Sequence, residues 1–125
     1  MSVIIKSKVI KGEGVGKSIG FKTANLDIEN SGIDSLEEFG VYDCKIKFKK
    51  NFYKGLLHYG PKKTFGNNIS AEVLIINFNQ DIYGKELEIE IFNKIRNIKK
   101  FASKDKLIKQ IKKDIKKPQI LFNNR

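Results

Sequence analysis

Apolar and polar residues alternate with a period of two along most of this chain, and only near the C-terminus does the period lengthen. In Leu87–Glu88–Ile89–Glu90–Ile91 the alternation is strict, the pattern of a strand with one buried and one wet face. Six short runs rich in β-branched and aromatic residues read as strands: Val3–Ile10, Lys22–Ile28, Gly40–Lys49, Tyr53–Tyr59, Ile69–Phe78 and Leu87–Ile95. Turn-forming residues punctuate them at Lys50-Asn51, Gly66-Asn67-Asn68 and Tyr83-Gly84-Lys85, as in an antiparallel sheet or barrel. From Ser103 onward the spacing becomes helical. Ser103 can cap a helix with Asp105 in its first turn. Leu107, Ile108, Ile111 and Ile115 then share one face, and Pro118 stops the helix at about Lys117. The expected architecture is mainly β: a six-stranded antiparallel barrel flanked by one C-terminal helix.

At 125 residues and 40% hydrophobic content, the chain is expected to form a single domain, residues 1–125, around one core. Its 25 basic and 14 acidic residues leave a net charge of +11, which invites a polyanionic or phosphorylated partner. The surplus is uneven: Lys94 to Lys117 holds eleven Lys or Arg against Asp105 and Asp114. A helix with a solvated lysine face produces the same count. Cys44 is the single cysteine, so no internal disulfide can form, and its apolar surroundings mark it as a core residue. A reducing, cytoplasmic location is the simple expectation. No apolar run approaches the roughly 20 residues of a membrane-spanning helix, and Val3–Ile5 is too short for the core of a signal peptide.

The stretch GEGVGKSIGFKTANL, Gly12 to Leu26, looks suited to holding phosphate. It is not a P-loop, because that motif needs a glycine where Lys11 stands and must open a helix. A dinucleotide fingerprint fails as well: Ile19 occupies the third glycine position, and no βαβ pattern surrounds it. What remains is a loop between two strands. Its glycines either let backbone N–H groups approach an anion, with Lys17 adding a charge, or serve only as turns. Thr23 and Asn25 follow at i and i+2, on one face of a strand. They are either two wet-face polar groups or two neutral hard oxygens suited to a Mg²⁺ completed by phosphate and water.

Three stretches carry a resemblance to a known family. GKSIGFKTANL resembles the glycine loop and P-T-A-N signature of riboflavin kinases. AEVLIINFNQDIYGKELEIEI resembles that family's strand–turn–strand with its acidic residue and D-x-Y-G turn. IRNIKKFASKDKLIKQIKKDI resembles its closing R-x-x-x-x-F segment and last helix. The order is kept from about Val9 to Ile115, and the resemblance is to the kinase domain on its own. It implies a six-stranded antiparallel barrel with a C-terminal helix, in agreement with the pattern above. It also implies ATP-dependent transfer of a γ-phosphoryl group to the riboflavin 5′-hydroxyl, giving FMN and ADP. On that basis Thr23 and Asn25 would hold Mg²⁺, and Gly12, Gly14, Gly16 and Lys17 would line the ATP phosphates. Glu72 would be the general base, and Tyr83 would lie near the nucleotide. Arg96, Lys99 and Phe101 would sit in the segment closing over the flavin. The chain departs from the family at Lys22 and Lys63, where the family has proline; losing proline removes a fixed φ and costs rigidity.

The partners expected are riboflavin and ATP, with no nucleic acid, no membrane and a monomeric state. Two other readings compete: a basic barrel that binds nucleic acid, and a flavin-binding relic without catalysis. His58, the sole histidine, is expected to be a strand imidazole outside the chemistry, and Phe48, Phe52 and Phe65 to be packing residues.

Overall fold

Every second side chain of each strand points inward, and six such strands close on themselves as an antiparallel barrel in the computed structural model, which describes residues 2–10, 21–61 and 68–116. The strands are β1 (Val3–Ile10), β2 (Lys22–Leu26), β3 (Gly40–Phe48), β4 (Asn51–Pro61), β5 (Ile69–Ile75) and β6 (Glu86–Arg96). Their order around the barrel is β1-β2-β5-β4-β3-β6, with β6 pairing back onto β1. Closure pairs every strand with a neighbour on each side, though β1 and β2 share only the pairs Val9–Leu26 and Ile10–Asn25. Helix α1 (Lys104–Lys116) packs on the outside.

The interior is filled by Ile5, Val9, Leu26, Cys44, Ile46, Leu57, Val73, Leu87, Ile89 and Ile91. Cys44 sits among them as expected; burial pushes its thiol pKa up, so it stays protonated and unreactive. Inward-facing Ser7 satisfies its hydroxyl by donating to the Asp27 carbonyl at 2.6 Å. Gly55 on β4 is a close approach: a Cβ there would meet the Ile46 side chain and lie 2.6 Å from the Leu74 carbonyl oxygen. The strand ends differ from expectation by a few residues. β2 and β5 stop earlier, at Leu26 and Ile75, whereas β4 and β6 extend further at both ends. The β3–β4 turn is Lys49-Lys50, with Lys49 at φ +57°, so Asn51 already pairs with Phe48.

The outside of the barrel has two different halves. Across β1, β6 and β3 it is a charge ladder: Lys6 faces Glu88, Lys8 faces Glu86, and Lys45 faces Glu90, the last pair 3.3 Å apart. Across β3, β4 and β5 it is apolar instead, with Val41, Leu56 and Leu74 pointing outward, and α1 lays Ile111, Leu107 and Ile115 over them. Ile108 does not join this cluster. Ser103 caps the helix, its hydroxyl accepting the Lys106 N–H at 3.3 Å. Lys104, Lys106, Lys109, Lys112, Lys113 and Lys116 face solvent, which is the solvated-face explanation of the lysine surplus.

β6 reaches the helix because it bulges. Against β3 its register slips twice, each time by one extra residue: Cys44 pairs with Ile91, Tyr42 with Lys94 and Val41 with Arg96. Bulges bend a strand, and here the bend brings Ile95 and Arg96 to the covered side. Buried Asp43 sits at the first slip and accepts the Asn93 N–H, freed from the ladder, at 2.7 Å. Burial pushes the Asp43 carboxyl above its ordinary value, with the Asn93 N–H opposing the shift. A raised folded-state pKa means that protonated Asp43 favours the fold below the usual 3.8, and this contribution is lost as pH rises through the folded value. Asp43→Asn keeps an acceptor for Asn93 without the charge. It is expected to unfold at neutral pH no more easily than the wild type and to lose that pH slope. Asp43→Ala orphans the N–H and is expected to lose about 1–3 kcal/mol. Urea unfolding of both variants from pH 3 to 8 checks this.

Candidate functional site

One row of side chains crosses the outer face through five strands. The register aligns Asn25 on β2 with Glu72 on β5, Glu72 with His58 on β4, His58 with Val41 on β3, and Val41 with Arg96 on β6. All of these point outward, because their neighbours Ala24, Leu26, Ala71, Val73, Leu57 and Tyr59 are buried in the barrel. Thr23 lies two residues from Asn25 on the same face and pairs with Leu74. The expected same-face arrangement of Thr23 and Asn25 is thus present, and the ladder sets Glu72 directly beside Asn25.

The row ends at a buried ion pair. Arg96 Nε donates to both oxygens of Asp114, at 3.2 and 3.0 Å, and Gln110 Nε2 donates to Oδ1 at 2.9 Å. Asp114 is 1% exposed, so its charge is compensated by protein groups rather than by water. The pair fastens α1 over the row and roofs a pocket of about 120 Å³ lined by Thr23, Val41, Leu56, His58, Glu72, Leu74, Arg96, Leu107, Ile111 and Asp114. The Arg96 guanidinium also lies 5.7 Å from the Phe101 ring centroid, a cation–π distance. Lys99 is exposed in the same segment.

A second, open groove of about 960 Å³ lies beside this pocket, lined by Phe21, Lys22, Thr23, Ile75 and Ile76 and by Asn77 to Asp81 of the β5–β6 connection. Thr23 borders both spaces. Tyr83 follows in the same connection, 64% exposed, its N–H donating to Asp81 Oδ1 at 3.1 Å. It is not among the groove's lining residues. Gly12, Gly14, Gly16, Lys17 and Lys63 lie outside the described residues. Among the described residues, no cluster of three His, Cys, Asp or Glu side chains could cage a metal ion. A hard cation here would rely on Thr23 Oγ1 and Asn25 Oδ1, with its remaining ligands from phosphate and water, as suits Mg²⁺.

A family model described as Flavokinase: Riboflavin kinase matches residues 1–122. The chain belongs to the riboflavin kinase family. The RNA-binding riboflavin kinase RibR of Bacillus subtilis is 39% identical over 114 residues, which are 90% of this chain and 48% of that protein. A bifunctional riboflavin kinase/FMN adenylyltransferase of the same organism is 37% identical over 124 residues, covering 96% of this chain and 39% of the relative. This riboflavin kinase family member therefore spans half or less of the length of the curated relatives it matches. The crystal structure of a riboflavin kinase from Trypanosoma brucei superposes with a TM-score of 0.65 at 20% identity, covering 96% of this chain and 83% of that one. That likeness is one of fold: the barrel and its helix are those of the riboflavin kinases.

Two residues of the pocket wall are absent from the sequence-based candidates. His58 is a strand imidazole, as expected, and it lies beside Glu72 in the pocket wall. Asp114 enters the sequence reading only as a charge against the lysine surplus. Its spacing held a signal: at i+3 from Ile111 and i+7 from Leu107, it is a carboxylate on the apolar stripe, and a buried carboxylate requires a cationic partner. Removing that carboxylate leaves the half-buried Arg96 without its counter-charge. Asp114→Ala is expected to lose about 3–5 kcal/mol of stability, and pairing Asp114→Leu with Arg96→Met is expected to recover much of it. Urea denaturation of the three proteins measures both effects.

Proposed function

We propose that this chain transfers the γ-phosphoryl group of ATP to the 5′-hydroxyl of riboflavin, yielding FMN and ADP. The observation that carries the reading is that Thr23, Asn25 and Glu72 share one outward face: Thr23 borders both the open groove and the small roofed pocket, Glu72 lines the pocket, and Asn25 stands beside Glu72 without lining either space. The groove suits a nucleoside triphosphate. The pocket, at about 120 Å³, is too small for a flavin ring but admits the hydroxymethyl end of a ribityl chain; whole-ligand sites run to about 300 Å³ or more. We assign the ring to the side bordered by Arg96, Lys99 and Phe101.

In this reading Glu72 accepts the proton of the 5′-hydroxyl as its oxygen bonds to the γ-phosphorus and the bond to the β–γ bridging oxygen breaks, leaving ADP. Such a reaction depends on alignment and charge neutralisation more than on covalent help. Rigid strands supply the alignment. Thr23 and Asn25 would hold Mg²⁺, which when bound neutralises charge on the transferring phosphates. Gly12, Gly14, Gly16 and Lys17 are proposed on sequence grounds to meet the phosphates, and Tyr83 the nucleotide. Lys22, where the family has proline, lines the groove next to Thr23 and adds a cation on the nucleotide side. A cytoplasmic location and a monomeric state belong to the same proposal.

The nucleic-acid reading draws on the relative named as RNA-binding and on the exposed lysines of α1. It leaves Thr23, Asn25 and Glu72 without a role, so the kinase reading is preferred. Chromatography after incubation with riboflavin, ATP and Mg²⁺ is expected to show FMN. Flavin binding without FMN would leave the relic, and salt-sensitive oligonucleotide binding without flavin binding would leave the nucleic-acid barrel. Glu72→Gln is expected to keep flavin affinity and lose about 10²–10⁴-fold in kcat; a full-rate variant removes Glu72 from the mechanism. Lys22→Met is expected to raise the KM for ATP about tenfold, the equivalent of about 1.4 kcal/mol of charge interaction, with the KM for riboflavin unchanged. Steady-state kinetics with each substrate varied in turn tests it.

A further inference from the structure

The row across the outer face sets His58 beside the carboxylate on which the proposed chemistry depends. In the β4–β5 ladder His58 is the direct cross-strand partner of Glu72. Both side chains point outward, since Leu57, Tyr59, Ala71 and Val73 on either side of them fill the barrel. Opposed residues on antiparallel strands have Cβ atoms about 4.5–5.5 Å apart, a separation that an imidazole and a carboxylate span with one hydrogen bond. Both line the roofed pocket, so the bond between them would border the space proposed for the acceptor hydroxyl.

The surroundings narrow what else could steer Glu72 from that side. Beyond His58 the row continues with apolar Val41 and then Arg96, whose Nε is committed to both oxygens of Asp114. The rest of the pocket wall is Leu56, Leu74, Leu107 and Ile111, with Thr23 on β2 beyond Glu72. Among the described residues, the charged or titratable groups that share the pocket lining with His58 are Glu72 from β5, Arg96 from β6 and Asp114 from α1, with Asp43 on β3 one row away and bonded to the Asn93 N–H.

We propose that His58 is a positioning residue for Glu72: an imidazole N–H holds one carboxylate oxygen so that the other is aimed into the pocket. This rests on the reading of Glu72 as the general base. A carboxylate on a bare strand rotates among several orientations; a donor on the neighbouring strand selects one.

As His58 is the sole histidine, its ring resonances can be followed by NMR without assignment ambiguity. In Glu72→Gln the imidazole titration midpoint is expected to fall by about half a pH unit or more, because an opposite charge that favours the imidazolium has gone. An unmoved midpoint overturns the inference whatever the kinetics show. In the active protein, His58→Ala is expected to lower kcat about tenfold with both KM values within about twofold, and to displace the acidic limb of the kcat–pH profile. His58→Gln, which restores an N–H donor, is expected to recover most of the rate at neutral pH. In the Glu72→Gln background His58→Ala is expected to cost nothing further; an equal additional loss there would mean that His58 acts independently of Glu72 and would overturn the proposal. A wild type that makes no FMN yet shows the coupled titration would defeat the kinase reading while leaving the contact standing.

Discussion

Asp114 carries a carboxylate at 1% exposure, and the shape of the helix-covered face follows from how that charge is held. A buried carboxylate is tolerated only when strong donors surround it, and Arg96 and Gln110 supply them. Gln110 is on the same helix, but Arg96 is on β6, so satisfying Asp114 anchors α1 to the barrel. The anchored helix covers Val41, Leu56 and Leu74, which would otherwise be apolar side chains facing water. Arg96 is within reach because β6 bulges twice, and the first bulge is stabilised by Asp43 accepting the Asn93 N–H. Two buried aspartates thus connect a local backbone irregularity to the roof of the pocket.

The rest of the barrel shows what the outer face looks like without such a cover. Across β1, β6 and β3 the outward residues are paired lysines and glutamates in water, where each ion pair contributes little and mainly keeps the surface polar. The covered half holds instead a few polar groups among apolar ones: Thr23, Glu72, His58 and Arg96 with Leu56, Leu74, Leu107 and Ile111. That mixture is typical of a site that must orient a small molecule and exclude part of its water. Placing the polar groups on neighbouring strands of a closed sheet fixes their spacing through backbone hydrogen bonds, the kind of rigidity on which phosphoryl transfer depends.

The sequence by itself determined the strand pattern, the C-terminal helix, its Ser103 cap and the pairing of Thr23 with Asn25 on one face. These are local properties: side-chain alternation in a strand and the 3.6-residue helical period are set by neighbours a few positions away. It also marked Glu72, though only through a family resemblance, because an isolated glutamate in an apolar strand has no local signature. Only the tertiary structure decided that Glu72 stands between Asn25 and His58, and that Arg96 closes the same row with its charge taken up by Asp114. Those neighbours are joined by register between strands far apart in sequence and by the docking of a helix. Register depends on which faces of all six strands must be buried together, a condition no single segment expresses.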